Sequence, residues 1–437
     1  MQSSLAESVQ QQVRPGKCVD LYYPDPQTAS KACFRTTVNT RFSQNMTNTS
    51  AGTSTFVIPP NNGIQDIVMV FELPVLSAPA SAGLGLNRGW GYSLIKSISF
   101  RYGGSSQFFL SQQQILQLAL KQTPNGFARD DLLALGGAAV SEAGLQLGPQ
   151  RAYCWLPLPH CVPTSEGKLP PFPSDLLTQQ IVVQCEIYPV SSIYSVAPAA
   201  TGTPASALSL GEFVVQQVLF ENQGDALARR VDMSTHALSY PVTFTQQEIT
   251  IPIATTGADI AAGVAQSVTL TGFRAGECRS ISAWLTYNGD TGAAQIQNPF
   301  AWYAPENIVL TYAGERYAVF DRGSGALWNL VNGRLAPQVN DVYLSNNAGV
   351  VDITAYPSVD QWIEMPFAQT FDDLTAHSTY TAGKTISNGI VNLSFTVPQL
   401  DKTGTAWAGG AQNFTLHISY HYNAVLMLTG GTADYVL

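Results

Sequence analysis

At 437 residues and 46.9 kDa, the chain exceeds the roughly 100–200 residues of one ordinary β-sandwich, so length points to two domains. Hydrophobic residues make up 45%, with 19 Phe, 18 Tyr and 7 Trp, which excludes a disordered chain, because disorder needs low hydrophobicity and high net charge. The 21 Lys and Arg against 30 Asp and Glu give a formal charge of -9, the wrong sign for wrapping a phosphate backbone, and a charged fraction of 12%, about half the ~25% of soluble proteins, suits a surface meant to touch other protein.

Residues 1–16 read as an arm. Ser4 to Glu7 offers a capping box, and Leu5, Val9 and Val13 repeat at helical spacing before Pro15-Gly16. No basic segment leads into an apolar stretch, and no run approaches the ~20 apolar residues of a membrane helix, so neither a signal peptide nor a transmembrane span is expected. From Cys18 onward, Thr, Val, Ile, Phe and Tyr runs are punctuated by Gly, Pro, Asn and Ser. This pattern predicts strands at 67–73, 94–102, 180–188, 242–249, 267–272, 280–287, 308–312, 390–396 and 414–422. The clearest helix is Ser111 to Lys121, SQQQILQLALK, with a Ser cap and a Thr-Pro-Asn-Gly stop.

Between Ser191 and Ser209 the chain turns small and Pro-containing (SSIYSVAPAATGTPASALS), which reads as a linker or long crossing. The expected organisation is an arm at 1–24, a first sandwich at 25–195, a linker at 196–212 and a second sandwich at 213–437. A faint repeat supports two units of one kind. Ile98 to Gln107, ISFRYGGSSQ, precedes the Ser111 helix, and Ile308 to Tyr317, IVLTYAGERY, precedes Leu327-Trp-Asn-Leu-Val331, at an offset of 210 residues.

Four segments in order carry a family resemblance. They are Asp25-Pro26-Gln27 with Cys33-Phe34-Arg35 and Phe42; Gly91 to Ile98 ending in Gly103-Gly104; Tyr153 to Pro159 with Leu169-Pro170-Pro171-Phe172 and Leu176-Leu177; and Tyr422-Asn423 through Val425, Leu426 and Leu428 to Gly430-Gly431. Together they resemble the double jelly-roll major capsid proteins of large icosahedral double-stranded DNA viruses, departing at Asp25, where Asn is more usual. The resemblance implies an all-β fold of two tandem eight-stranded jelly-roll β-sandwiches with a few short helices in loops. It also implies three chains in a trimer of pseudo-sixfold outline that tiles a capsid. The partners it implies are the other two chains, neighbouring capsomers, minor capsid proteins and a membrane under the shell, with no sequence-specific nucleic-acid binding. The implied location is the virion, after synthesis and assembly in the host cytoplasm.

The residues offer little chemistry. His417 and His421 have the i, i+4 spacing of a zinc pair, but no Glu follows the first and the surroundings, FTLHISYHY, are those of a strand, so both are expected to be structural. His160, His236 and His377 have no ligand-spaced neighbours, and no metal is expected. GxSxG, Walker A and GxGxxG patterns are absent. Asp130-Asp131, Asp372-Asp373 and Glu364 supply carboxylates, but adjacent carboxylates usually mark solvated turns. The expectation is therefore no catalytic residue, no cofactor and no enzyme. Sequons stand at Asn45, Asn48, Asn392 and Asn413. Of these, Asn45 and Asn48 are the candidate glycosylation positions, because the other two fall inside expected strands. The six cysteines are scattered, with no CxxC pair, and read as free, mostly buried thiols. The rival reading is a two-domain β-sandwich that binds or cleaves carbohydrate, which would need aromatics exposed on a sheet face or a carboxylate pair in a cleft.

Overall fold

The computed structural model describes residues 33–42, 52–58, 63–76, 84–86, 89–102, 107–122, 132, 134–138, 140, 147–157, 172, 174, 177–196, 207–220, 238–288, 302–320, 344–345, 351–352, 362–367, 384–386, 390–401, 405–429 and 431–437. The expected arm, Asn45, Asn48, Leu327 to Val331, the two Asp pairs and His160, His236 and His377 lie outside these residues.

Among the described residues eight strands build the two main sheets of the first half: β1 (Cys33–Arg41), β2 (Gly52–Ile58), β3 (Gly63–Leu73), β4 (Ile95–Tyr102), β5 (Gln107–Ser111), β6 (Gln150–Leu156), β7 (Ile181–Ile187) and β8 (Leu210–Phe220), while Leu84–Leu86 and Tyr194–Val196 pair separately. The eight form two antiparallel sheets, ordered β1-β8-β3-β6 and β2-β7-β4-β5. Period-two patterning explains why the sheets face each other. In β7, Ile181, Val183, Cys185 and Ile187 are buried while the residues between them are not, as a strand with one covered face requires. Across the sandwich Phe56 of β2 stacks on Phe213 of β8, ring centroids 4.4 Å apart, and Cys185 of β7 lies 3.8 Å from the Met69 sulfur of β3.

The second half repeats the plan with β9 (Ile249–Thr256), β10 (Gln266–Leu270), β11 (Glu277–Tyr287), β12 (Glu306–Tyr312), β13 (Glu315–Phe320), β14 (Ile363–Pro366), β15 (Val391–Thr396) and β16 (Ala411–Thr429). One sheet contains the run β9-β16-β11-β14, with Leu238–Thr245 and Thr432–Val436 added on β16 and Trp302–Tyr303 and Lys384–Thr385 on β11, and the other runs β10-β15-β12-β13. Adding eight to every label of the first half reproduces both orders. Each half is thus an eight-stranded jelly roll, and the fold is all-β with two of them in tandem. The repeat seen in sequence lands on equivalent strands: β4 ends at Tyr102 and β12 at Tyr312, 210 positions apart.

Short helices occupy connections: α1 (Trp90–Leu94), α2 (Gln112–Gln122) and α3 (Gly257–Ala261). α2 matches the helix expected from Ser111. The expected strand at 242–249 is instead two. Leu238–Thr245 and β9 each pair with a different stretch of the long strand β16, and between them Gln246 bonds the Tyr420 carbonyl at 2.9 Å.

The expected linker at 196–212, with the second unit starting at 213, meets strand β8. This strand lies between β1 and β3, so residues 210–220 belong to the first-half sheet. The small-residue stretch before it leads into the last strand of the first sandwich. A jelly roll inserts its last strand in the middle of the sheet holding its first, so a composition break can precede domain completion.

Candidate assembly surfaces

The central strands of the second half are buried on both faces. Along β11, Ile281, Ala283 and Leu285 fill the sandwich interior, while Ser282 and Trp284 point the other way and are equally buried. Along β16, Leu416, Ile418, Tyr420 and Tyr422 face inward and His417, Ser419 and His421 outward, all of them buried. What covers this outer, largely polar face is the first half.

The cover is the end of β5 and the start of α2. Ser111 and Gln114 form a capping box. The Ser111 amide donates to Gln114 Oε1 at 3.1 Å and the Gln114 amide reaches Ser111 Oγ at 3.4 Å, satisfying donors that a helix start leaves open. The Gln114 side-chain amide then donates into the second half, to the Gln246 carbonyl at 2.7 Å and to Ser419 Oγ at 2.8 Å. Trp284 Nε1 donates to Gln113 Oε1, and the Ser111 hydroxyl donates to Glu248. Buried polar groups cost several kcal/mol when left unpaired, so each of these bonds ties the register of one half to the other.

The two histidines belong to this junction. His417 Nδ1 lies 2.7 Å from Glu248 Oε1 and Nε2 lies 2.8 Å from Thr286 Oγ1, with the ring stacked on Trp284 at 5.3 Å. His421 sits between Thr245 Oγ1 at 3.0 Å and Ser282 Oγ at 2.8 Å. Their partners are hydroxyls of neighbouring strands and one carboxylate, an arrangement that cross-links the sheet. Among the described residues no group of three or more His, Cys, Asp and Glu could hold a metal. The sequence reading placed both histidines on a strand but missed Glu248, Gln113 and Gln114. The available signal was the Gln-rich first turn of α2, since three consecutive glutamines are a poor choice for a solvent-free apolar face and a good one for cross-linking.

An aromatic seam runs beside the polar one. Strand Thr432–Val436 pairs with β16 and sets the Tyr435 ring 5.4 Å from Phe244, 6.2 Å from Phe108 and 6.3 Å from Tyr102. Tyr102 and Phe108 belong to the first half. The Thr178 amide, also of the first half, donates to the Gly431 carbonyl at 2.9 Å. Gly431 has φ +82°, and a Cβ there would come within 2.3 Å of Thr178 Cγ2, so both backbone conformation and close approach require glycine.

Cys154, Cys185 and Cys278 are free and buried, in line with the reading from sequence. Desolvation raises all three thiols, Cys278 to about 12, which leaves them as unreactive packing groups. Trp90, Trp284, Trp302 and Trp362 are fully buried, so they supply no carbohydrate-stacking platform. Of the sequons, Asn392 accepts a hydrogen bond from Thr269 at 2.9 Å and Asn413 is exposed on β16. No helix among the described residues is long and apolar enough to cross a membrane.

No family model and no curated protein matches the sequence. Solved structures do match it over nearly its whole length. PBCV-1 VP54 superposes with a TM-score of 0.61 at 13% identity, covering 95% of this chain and 99% of that one. The mavirus major capsid protein gives 0.54 at 12%, covering 95% and 93%, and the Faustovirus major capsid protein 0.54 at 11%, covering 93% and 92%. With the strand order found in both halves, these likenesses show that the chain has the double jelly-roll fold seen in viral major capsid proteins.

Proposed function

We propose that this protein is a major capsid protein: three copies form a pseudo-hexagonal capsomer, and capsomers self-assemble into the icosahedral shell of a DNA virus. The observation that carries the reading is the pair of jelly rolls of identical strand order in one chain, locked by a buried junction. Two such sandwiches per chain give three chains six similar faces, which suits a six-neighbour lattice. A shell subunit must be rigid and must hide its strand edges; the buried polar and aromatic seams supply the first, and the low charge density lowers the cost of desolvating contacts between subunits.

On this reading the protein has no catalytic role. Its partners are two further copies, neighbouring capsomers, minor capsid proteins and a membrane beneath the shell, and the arm at 1–16 touches that membrane or a minor capsid protein. The protein resides in the virion after assembly in the host cytoplasm. The chain divides between Phe220 and Leu238 into its two jelly rolls, and Asn45 and Asn48 are the glycan positions. Expression of the full chain followed by light scattering and negative-stain imaging tests the proposal; hexagonal trimers support it. Removing residues 1–16 should leave trimers intact and impair shell formation, and loss of the trimer itself would contradict that role for the arm.

A further inference from the structure

The long strand β16 serves two parts of the molecule. Residues 411–422 are held by β9 and β11 within the second sandwich. Residues 425–429 run past the end of the β11 pairing, which stops at Tyr422. Their ladder partners are residues 238–241 and Thr432–Val436. Thr429 pairs with Thr432, so the chain doubles straight back on β16 as one arm of a hairpin.

That arm alternates as a half-covered strand does. Ala433 is buried and Tyr435 and Leu437 are half-buried, while Asp434 and Val436 are exposed. Register sets Ala433 opposite Leu428 and Tyr435 opposite Leu426, both leucines being buried. The Tyr435 ring enters a box of Tyr102, Phe108 and Phe244, in which Phe108 meets Phe244 edge-on at 5.8 Å and all three are buried. Gly276 leaves room for Leu437, since a Cβ there would come within 3.1 Å of Leu437 Cβ. At the other end the Thr178 amide and hydroxyl both donate to the Gly431 carbonyl, at 2.9 Å and 3.3 Å.

We infer that residues 431–437 form a detachable strap, and that its seat, the β16 edge at 425–429 with the aromatic box, is a binding site for an extended peptide carrying a small residue, an aromatic and an aliphatic at alternate positions. Main-chain bonds to β16 supply the affinity and the box supplies the selection, as in other cases of strand addition. The resident occupant is the strap itself. Five residue pairs hold it, its outer face meets solvent, and neither sandwich loses one of its eight strands when it leaves. Its departure takes Tyr435 out of the seam while Gln114 still bonds Ser419 and Gln246. The strap therefore sets how tightly the two jelly rolls are joined without dissolving either. This goes beyond shell assembly: strap and seat lie within one chain, so the test decides the inference whatever the oligomeric state.

Hydrogen exchange of the full wild-type chain tests the detachment. Amides of 425–429 and 432–436 should exchange together and at least about tenfold faster than those of 412–422, because short edge segments open locally. Equal protection of the two stretches overturns the strap. A labelled peptide of residues 431–437 tests the seat. In cis the strap has an effective concentration on the order of millimolar and outcompetes the peptide, so the full chain with Tyr435→Ala should bind it at least about tenfold more tightly than wild type does. A peptide that itself carries Tyr435→Ala should not bind. Binding that ignores this tyrosine, or no binding to a folded Tyr435→Ala chain, overturns the seat. The exchange measurement uses the unmodified chain, so it decides even where the variant fails to fold.

Discussion

The Gln114 side chain donates to Ser419 Oγ at 2.8 Å, joining residues 305 positions apart on different jelly rolls. The same amide bonds the Gln246 carbonyl, so one side chain of α2 holds two elements of the second half. Gln114→Ala should destabilise the protein by about 1–3 kcal/mol, the cost of leaving buried groups unpaired. In a double-mutant cycle with Ser419→Ala the two losses should not add. Additive losses in denaturant unfolding would show that the bond does not couple the halves.

Gly431 and Tyr435 make a second clasp. Gly431→Ala places a Cβ against Thr178 in a left-handed conformation, and the expected loss is about 2 kcal/mol or more. Tyr435→Ala opens the seam among Tyr102, Phe108 and Phe244 and should cost about 2 kcal/mol. Hydrogen exchange in β5 should quicken in both variants; unchanged protection there would place the seam outside the interactions that hold the halves together.

The tight turn between β12 and β13 contains Ala313 at φ +51° and Gly314 at φ +86°. A left-handed residue with a Cβ costs roughly 1–2 kcal/mol, and the corresponding positions of the first half are Gly103 and Gly104. Ala313→Gly should therefore stabilise by up to about 1 kcal/mol, after the greater freedom of glycine in the unfolded chain is subtracted. Ala313→Val should destabilise. A fall in the melting temperature of Ala313→Gly would contradict this account of the turn.

Alkaline pH should weaken the fold. Burial raises the Tyr422 phenol from 10.0 to about 12 and the Cys278 thiol from 9.0 to about 12. The folded state keeps protons that the unfolded state has released, so stability is intact below about pH 9 and falls as pH rises towards 12. Each group contributes at most ~1.4 kcal/mol per pH unit. Urea midpoints measured from pH 8 to 11.5 should decline, and Tyr422→Phe should flatten the decline; a flat wild-type profile would contradict it.

What sequence made legible followed from period two. The β7 pattern at 181–187 alternates because one face is covered, and the β4 pattern at 95–102 does so from Ile98 onward, past an irregularity at Ser97. The offset of 210 residues found β4 and β12 because both end in Tyr before a Gly-bearing turn. The boundary near 212 was read from composition alone. Local composition marks where the chain leaves a sheet, and β8 returns to the middle of the first sheet after that break. His417 and His421 alternate with Leu416, Ile418, Tyr420 and Tyr422, a pattern that reads as a strand with one wet face. That face is dry because α2 lies on it, and no local signal near 417 encodes a helix 300 residues earlier.

The central claim is that this double jelly roll is a capsid building block, and its solution mass tests it most directly. Light scattering of the purified full chain should give about 141 kDa, three copies of 46.9 kDa, with a hexagonal outline in negative stain. A monodisperse particle of one chain's mass at micromolar concentration would contradict it.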